Sequence, residues 1–187
     1  MKEKKDLRVI KTQNLLYNTL LELLKSSPFE EIKVSDICDK ALINRSTFYA
    51  HYSDKYELLA SYIDDLKNAF SLELEKNKNI TNSKEYYLEM IKLFLDHIDE
   101  KKEIYLSIMI NNRNSITMDI LYDVIDQDIK KRIIHDIPNN SKVPSDIIVK
   151  FYIGAVFNVG IEWLKNSNKY TKQEIMDYLN ILIPNDL

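Results

Sequence analysis

The chain has 187 residues, of which 45% are hydrophobic and 29% charged, as is usual for a soluble protein of one or two domains. The net charge of −3 excludes a strongly basic nucleic-acid binder, although residues 1–60 carry 10 Lys/Arg against 9 Asp/Glu. The charged N-terminus lacks an apolar signal core and charges interrupt every apolar run, so we expect a cytoplasmic protein without a membrane segment.

The first predicted helix covers residues 6–26, where apolar side chains recur every three or four positions. Pro28 ends it, because proline cannot continue the backbone hydrogen bonding of a helix. Phe29 and Ile32 follow in the connecting loop, and we expect both to fill the core.

Two short helices are predicted next, at about 34–41 and 45–51, with a break at Leu42 between them. Cys38 lies on the apolar face of the first and is expected to be inert packing. Phe48 is the apolar residue of the second and is expected to pack onto the first helix of the chain.

Ser53 is a plausible N-cap for a fourth helix that runs to about residue 76. The polar segment 76–83 is the best candidate for a domain boundary. Two glycines and four prolines in the whole chain predict few turns, and therefore an all-α fold of about nine helices. The remaining helices are predicted near 84–99, 101–111, 115–135, 145–166 and 171–183.

The outer face of the 45–51 helix carries the main functional signal. Instead of the Glu/Lys mixture of a solvated helix, it presents hydrogen-bond donors and aromatic rings. A helix in the major groove of DNA uses such side chains, and those near its N-terminus reach the base edges. The planar fork of Arg45 can bind O6 and N7 of one guanine together.

Lys55 supplies a second signal, because it lies in the first turn of the fourth helix. The positive end of the helix dipole disfavours a cation there. A DNA phosphate bound at that helix start would reverse this penalty.

Residues 34–59, VSDICDKALINRSTFYAHYSDKYELL, resemble the DNA-binding signature of the TetR/AcrR family of regulators. The stretch LLYNTLLELLKSSPFEEI just before them resembles the first helix of that family and its connection. The tail FYIGAVFNVGIEWLKNSNKYTKQEIMDYL resembles the C-terminal domain of a subgroup common in low-GC bacteria.

The resemblance implies a homodimer that binds double-stranded operator DNA. Residues 1–60 would form the helix-turn-helix domain, with the motif at about 33–52, and residues 61–187 the domain for dimerisation and effector binding. The implied DNA-binding residues are Lys33, Ser35, Asn44, Arg45, Ser46, Thr47, Tyr49, His51, Tyr52 and Lys55. The chain departs from the family pattern at Leu42, where the turn usually has glycine, and at Lys33, where a small hydroxyl residue is usual.

Several of these residues have simpler interpretations. Tyr49 and Tyr52 are equally typical of half-buried scaffold tyrosines. A histidine such as His51 lies at a protein surface without special function in most cases, and only its place in the motif makes it a DNA-binding candidate.

The C-terminal half offers candidates for effector binding, namely Tyr105, Met109, Tyr122, Phe151, Asn158 and Glu162. Aromatic residues at helical spacing are more often core, and Asn158 and Glu162 are equally suited to orient a ligand or to bond across an interface. Gly154 and Gly160 lie in one helix, where each costs about 1 kcal/mol relative to alanine, so another helix or a ligand is expected to approach closely there.

Three well-separated histidines and a single cysteine predict no metal site and no cofactor, and no catalytic motif is present, so an enzyme is not expected. The leading interpretation is a repressor that responds to a small-molecule effector. The alternative is a co-activator or adaptor of the same fold, whose C-terminal domain binds a protein partner.

Overall fold

The computed structural model describes residues 7–76, 80, 82–111, 119–120, 143–166 and 168–183. Across those ranges the regular structure is helical, which confirms the predicted all-α class. The helices are α1 (Leu7–Leu24), α2 (Val34–Ala41), α3 (Arg45–Tyr49), α4 (Lys55–Leu74), α5 (Ser83–Glu100), α6 (Lys102–Asn111), α7 (Ser145–Lys165) and α8 (Lys172–Leu182). The predicted helix over 115–135 lies outside the described residues except at 119–120.

Helix α1 forms the base of the N-terminal core. Leu16, Leu20 and Leu24 follow one another at four-residue spacing and are at most 1% exposed. Phe29 and Ile32 are buried as predicted and close the core from the loop that follows α1. The short helices therefore have an apolar surface on which to pack.

Helices α2 and α3 form the predicted helix-turn-helix. Ile37, Cys38 and Ala41 are buried on one side of α2, and Phe48 is fully buried below α3. Because each short helix is attached by so few side chains, its opposite side is left open to solvent.

The turn between α2 and α3 keeps a left-handed residue although it lacks glycine. Leu42 adopts φ 55° and ψ 42°, and its side chain is 91% exposed. This conformation costs a residue with a side chain roughly 1–2 kcal/mol. It lets the N–H groups of Leu42 and Ile43 donate to the carbonyls of Asp39 and Cys38, which ends α2 cleanly.

Helix α4 begins one residue later than the sequence analysis assumed. Asp54 is the N-cap, since its Oδ1 accepts hydrogen bonds from the N–H groups of Tyr56 at 2.9 Å and Glu57 at 2.8 Å. The predicted N-cap, Ser53, instead donates its N–H and its hydroxyl to the Glu57 carboxylate, both at 2.6 Å. These bonds lower the pKa of Glu57 and fix the corner before α4.

The chain divides into two compact units, Met1–Asp64 with Glu103–Leu121, and Asp65–Lys102 with Tyr122–Leu187. Helix α4 belongs to both, because it continues past residue 64. In the second unit α5, α7 and α8 pack on one another. Their buried residues include Leu95, Ile98, Ile153, Trp163, Leu164, Ile175 and Leu179.

Candidate nucleic-acid interface

Helix α3 turns its polar side chains to solvent. Asn44, Arg45, Ser46 and Tyr49 are exposed, and Thr47 is half-buried. The carbonyl of Asn44 accepts the first helical hydrogen bonds, while its side chain makes no capping bond. A row of exposed polar side chains thus begins at the N-terminus of α3. In a helix bound in the major groove, the side chains at this end reach the bases.

A single aromatic anchor holds α3 in place. The Phe48 ring is 0% exposed and contacts the rings of Tyr49 and Tyr52, with centroids 5.5 Å and 6.1 Å away. His51 follows the helix and is half-buried beside Tyr52. The prediction that Phe48 is core is confirmed.

Tyr52 does not lie on the outer face, and its predicted grip on the DNA backbone is wrong for this conformation. Its side chain is 3% exposed, its ring also contacts that of Tyr17 at 6.3 Å, and its hydroxyl is buried without a hydrogen-bond partner among the described residues. The alternative of a scaffold tyrosine fits this position.

The start of α2 presents two further predicted residues. Lys33 is exposed, and its backbone N–H donates to Asp36 Oδ2 at 2.8 Å. Ser35 is half-buried, with its hydroxyl 3.5 Å from Asp36 Oδ1, too long for a strong hydrogen bond.

Lys55 is bonded within the protein. Its Nζ donates to the carbonyls of Phe29 at 2.7 Å, Glu30 at 2.9 Å and Ile32 at 2.7 Å. Lys55 therefore needs no DNA phosphate to offset the helix dipole, because three backbone oxygens already provide the negative partner.

Three of the candidate effector residues of the C-terminal half lie on one helix. Phe151, Asn158 and Glu162 lie seven and four residues apart and are all exposed on one face of α7. The side-chain amide of Asn158 donates to the Gly154 carbonyl at 2.7 Å, and Glu162 accepts a bond from Asn166. These three residues therefore share an exposed face of one helix.

Tyr105 belongs to the compact unit that holds the helix-turn-helix. Its hydroxyl is 3.5 Å from that of Tyr62 in α4, and burial raises the pKa of both phenols. The Met109 side chain and all of Tyr122 lie outside the described residues.

A recess of about 400 Å³ in the second unit lies beside Glu73, Leu74, Lys76, Glu89 and Leu93, none of which the sequence analysis had singled out. The helical pattern gave no signal for it, because a recess depends on how helices pack and not on the order of residues along one of them.

His97 packs in the same unit, where its ring meets that of Phe70 at 5.8 Å. Burial lowers the pKa of His97 to about 4, and Lys101 adds to the shift. The imidazole is therefore neutral at neutral pH.

The titratable side chains of the described residues decide whether this part of the chain can hold a metal ion or a reactive thiol. No group of three or more His, Cys, Asp or Glu side chains is placed there to hold a metal ion. Cys38 is 2% exposed, and burial raises the pKa of its thiol although Arg45 acts in the opposite direction, as is typical of a packing cysteine.

One described helix, Asp146–Lys165, is long and apolar enough to cross a membrane by length and composition, and 24% of the tested window is buried. This signal is weak, since the core helix of a soluble protein passes the same test.

Two family models together match about four fifths of the chain. Residues 16–62 match "Bacterial regulatory proteins, tetR family", and residues 85–185 match "Transcriptional regulator C-terminal region" of the TetR type. The chain belongs to the TetR family of transcriptional regulators. These are DNA-binding proteins and not enzymes, as the sequence predicted.

A curated relative, the dhaKLM operon transcriptional activator DhaS of Lactococcus lactis, is 33% identical over 105 residues, which are 55% of this chain and 51% of DhaS. The match thus spans about half the length of that relative. Two solved structures share the fold. A TetR regulator from Streptococcus agalactiae has a TM-score of 0.64 at 22% identity, covering 95% of this chain and 96% of its own. FadR from Bacillus subtilis, in complex with stearoyl-CoA, has a TM-score of 0.54 at 14% identity. The match covers 90% of this chain and 94% of FadR.

Proposed function

We propose that this TetR-family regulator is a repressor that inserts α3 of each of two subunits into the major groove of a palindromic operator. The observation that carries the proposal is the exposed polar row at the N-terminus of α3. A five-residue helix anchored by Phe48 alone gains little by exposing arginine and tyrosine side chains to water. Base edges and phosphates give these side chains partners.

The residues of this surface have different roles in the proposal. Arg45 and Asn44 read base edges, Arg45 by its bidentate fork on guanine. Ser46, Thr47 and His51 contact bases or the phosphates beside them. Tyr49, which is 57% exposed, lies against the DNA backbone.

Lys33 and Ser35 complete the interface from the start of α2. The exposed ammonium of Lys33 meets a phosphate, and the small hydroxyl of Ser35 adds a neutral contact at the same helix start. Such contacts fix the register of α3 in the groove without reading sequence.

The homodimer rests on the exposed face of α7. Ile147 is 52% and Phe151 68% exposed, and Asn158 and Glu162 continue the same face. A Cβ built at Gly154, next to this face, meets no described atom within 4 Å, which leaves room for the close approach of a second helix. Gly160 has less need of such an explanation, since a Cβ there makes ordinary contact with Leu95 at 3.6 Å.

Helix α8 also exposes apolar side chains, at Tyr178, Ile181 and Leu182. An apolar surface of this kind is covered in a stable protein. We propose that a second copy of the chain covers this surface of α8. Contact with the same copy also explains why α7 is apolar although it does not cross a membrane. The protein then acts in the cytoplasm, where it reaches chromosomal DNA.

An effector that binds the C-terminal unit better in one conformation than in another would lower operator affinity by shifting the population. FadR, which shares the fold, was crystallised with stearoyl-CoA, and this precedent supports a small-molecule effector of unspecified class.

Activation is the second candidate function, because DhaS is named as a transcriptional activator. In that case the C-terminal unit binds a protein partner in place of a small molecule. Transcription in vitro from the regulated promoter distinguishes the two, since a repressor lowers transcript yield when added alone and an activator raises it.

Selection of duplex DNA from a random pool by the full chain tests the core of the proposal. We expect an enriched palindrome whose half-sites lie about 10 base pairs apart, centre to centre, or a multiple of that spacing. The salt concentration must be fixed, since affinity for DNA falls steeply with salt. A chain that enriches no sequence, even in dilute buffer, contradicts the proposed function.

A further inference from the structure

The ammonium of Lys55 has all its hydrogen-bond donors engaged inside the protein. An ammonium carries three N–H donors, and three carbonyl oxygens lie around it, those of Phe29 at 2.7 Å, Glu30 at 2.9 Å and Ile32 at 2.7 Å. A phosphate at this site would have to replace one of these oxygens.

Aromatic rings complete the surroundings of the ammonium. Nζ lies 4.8 Å from the centroid of the Phe29 ring and 5.4 Å from that of Tyr56, and the two rings meet edge to face at 5.2 Å. Burial lowers the pKa of Lys55, while Glu30 and Asp36 act in the opposite direction. The side chain is half-buried and folded against the protein.

The three carbonyls belong to the segment that leads into α2. Ile32 immediately precedes Lys33, the N-cap of α2, whose own N–H is held by Asp36 at 2.8 Å. Lys55 therefore ties the first turn of α4 to the point at which α2 begins. Lys33 and Ser35, the proposed phosphate contacts, lie at that point.

We propose that Lys55 is a positioning residue, whose ammonium holds the loop between α1 and α2 so that Lys33 and Ser35 meet the DNA backbone, and that it makes no phosphate contact itself. This inference rests on the proposed DNA binding. It differs from the expectation that a lysine at the start of α4 binds phosphate directly.

A double-mutant cycle with Lys33 separates the two roles. Lys33→Met, Lys55→Met and the double variant are titrated with the selected duplex at several salt concentrations. Each single variant is expected to lower the slope of log affinity against log salt by about one, which is the loss of one phosphate contact. The double variant is expected to lower it no further, because both changes remove the same contact.

Two results overturn the proposal. A slope lowered by about two in the double variant means that Lys55 contacts its own phosphate. Unchanged affinity and slope in Lys55→Met mean that it does not position the interface. Lys25→Met, in which a lysine paired with Glu22 is lost, is the matched control and is expected to leave the slope unchanged.

Lys55→Arg provides a test if Lys55→Met does not fold, as judged by circular dichroism and thermal unfolding. It keeps a positive charge for a phosphate, but its planar guanidinium cannot aim three N–H groups at oxygens that surround one point. We expect the same loss of slope as in Lys55→Met, and wild-type affinity and slope contradict the proposal. A wild-type chain that binds no duplex rejects the proposed function itself, which is a distinct outcome.

Discussion

Helices α3 and α7 differ in what they leave exposed. Helix α3 buries Phe48 and exposes a polar row that begins at Asn44, whereas α7 buries Ile153 and Trp163 and exposes an apolar residue, Phe151. A polar face with an arginine fits a polyanion, and an apolar face fits another protein surface. One all-helical architecture thus leaves two exposed surfaces of different chemistry, for which we propose two different partners, DNA and a second subunit.

The largest expected effect is at α7. Phe151→Glu places a charge in the proposed dimer seam, where it would be buried without a partner. We expect dimer dissociation to become at least about 100-fold easier, measured by analytical ultracentrifugation, with a parallel loss of operator binding.

The matched control for this variant is Lys150→Glu, which adds negative charge to an exposed position of the same helix, about a quarter of a turn away. It should remain dimeric. If the Phe151→Glu chain is as dimeric as the wild type, α7 does not form the dimer interface.

A smaller effect is expected at α3. Arg45→Ala should weaken binding to the selected duplex by about 1–3 kcal/mol and relax the preference at one operator position, because the guanine contact is lost. Competition titrations with operators altered at single positions measure both quantities. The control is Tyr52→Phe, which removes a buried hydroxyl and should change neither the affinity nor the preference for any operator position. If Arg45→Ala lowers the affinity equally for all DNA sequences, Arg45 contacts the DNA backbone and not a base.

The smallest effect concerns the turn that supports α3. Leu42→Gly relieves the left-handed strain and should raise the free energy of unfolding by about 1 kcal/mol after the entropy of glycine is counted. Urea unfolding measures the change. Leu42→Ala keeps the strain and should be neutral, since the side chain is exposed. A glycine variant no more stable than the wild type would mean that the turn carries no strain.

Much of the N-terminal unit could be predicted from the sequence, because local signals determine it. A helix before Pro28 was predicted over 6–26 and is observed as Leu7–Leu24, and the apolar spacing predicted α2 at 34–41 as observed. The N-cap of α4 was missed, although aspartate caps as well as serine and Glu57 stands three residues after Asp54, the spacing of a capping box.

The roles of single side chains could not be predicted in the same way. Tyr52 ends the recognition motif and Lys55 follows it in sequence. Their side chains point where they do because Tyr52 packs against α1 and Lys55 binds the loop after α1. Contacts between residues far apart in the chain leave no pattern in one sequence. For the same reason Phe151, predicted near a ligand, lies on an open face.

Entry of α3 into the major groove is the central claim, and methylation protection at guanine N7 tests it most directly, because N7 faces that groove. On the selected duplex, the bound wild-type chain should protect guanines in two blocks about one helical turn apart, and Arg45→Ala should lose protection at one guanine of each block. Tight binding that leaves every guanine N7 open to methylation would contradict the account.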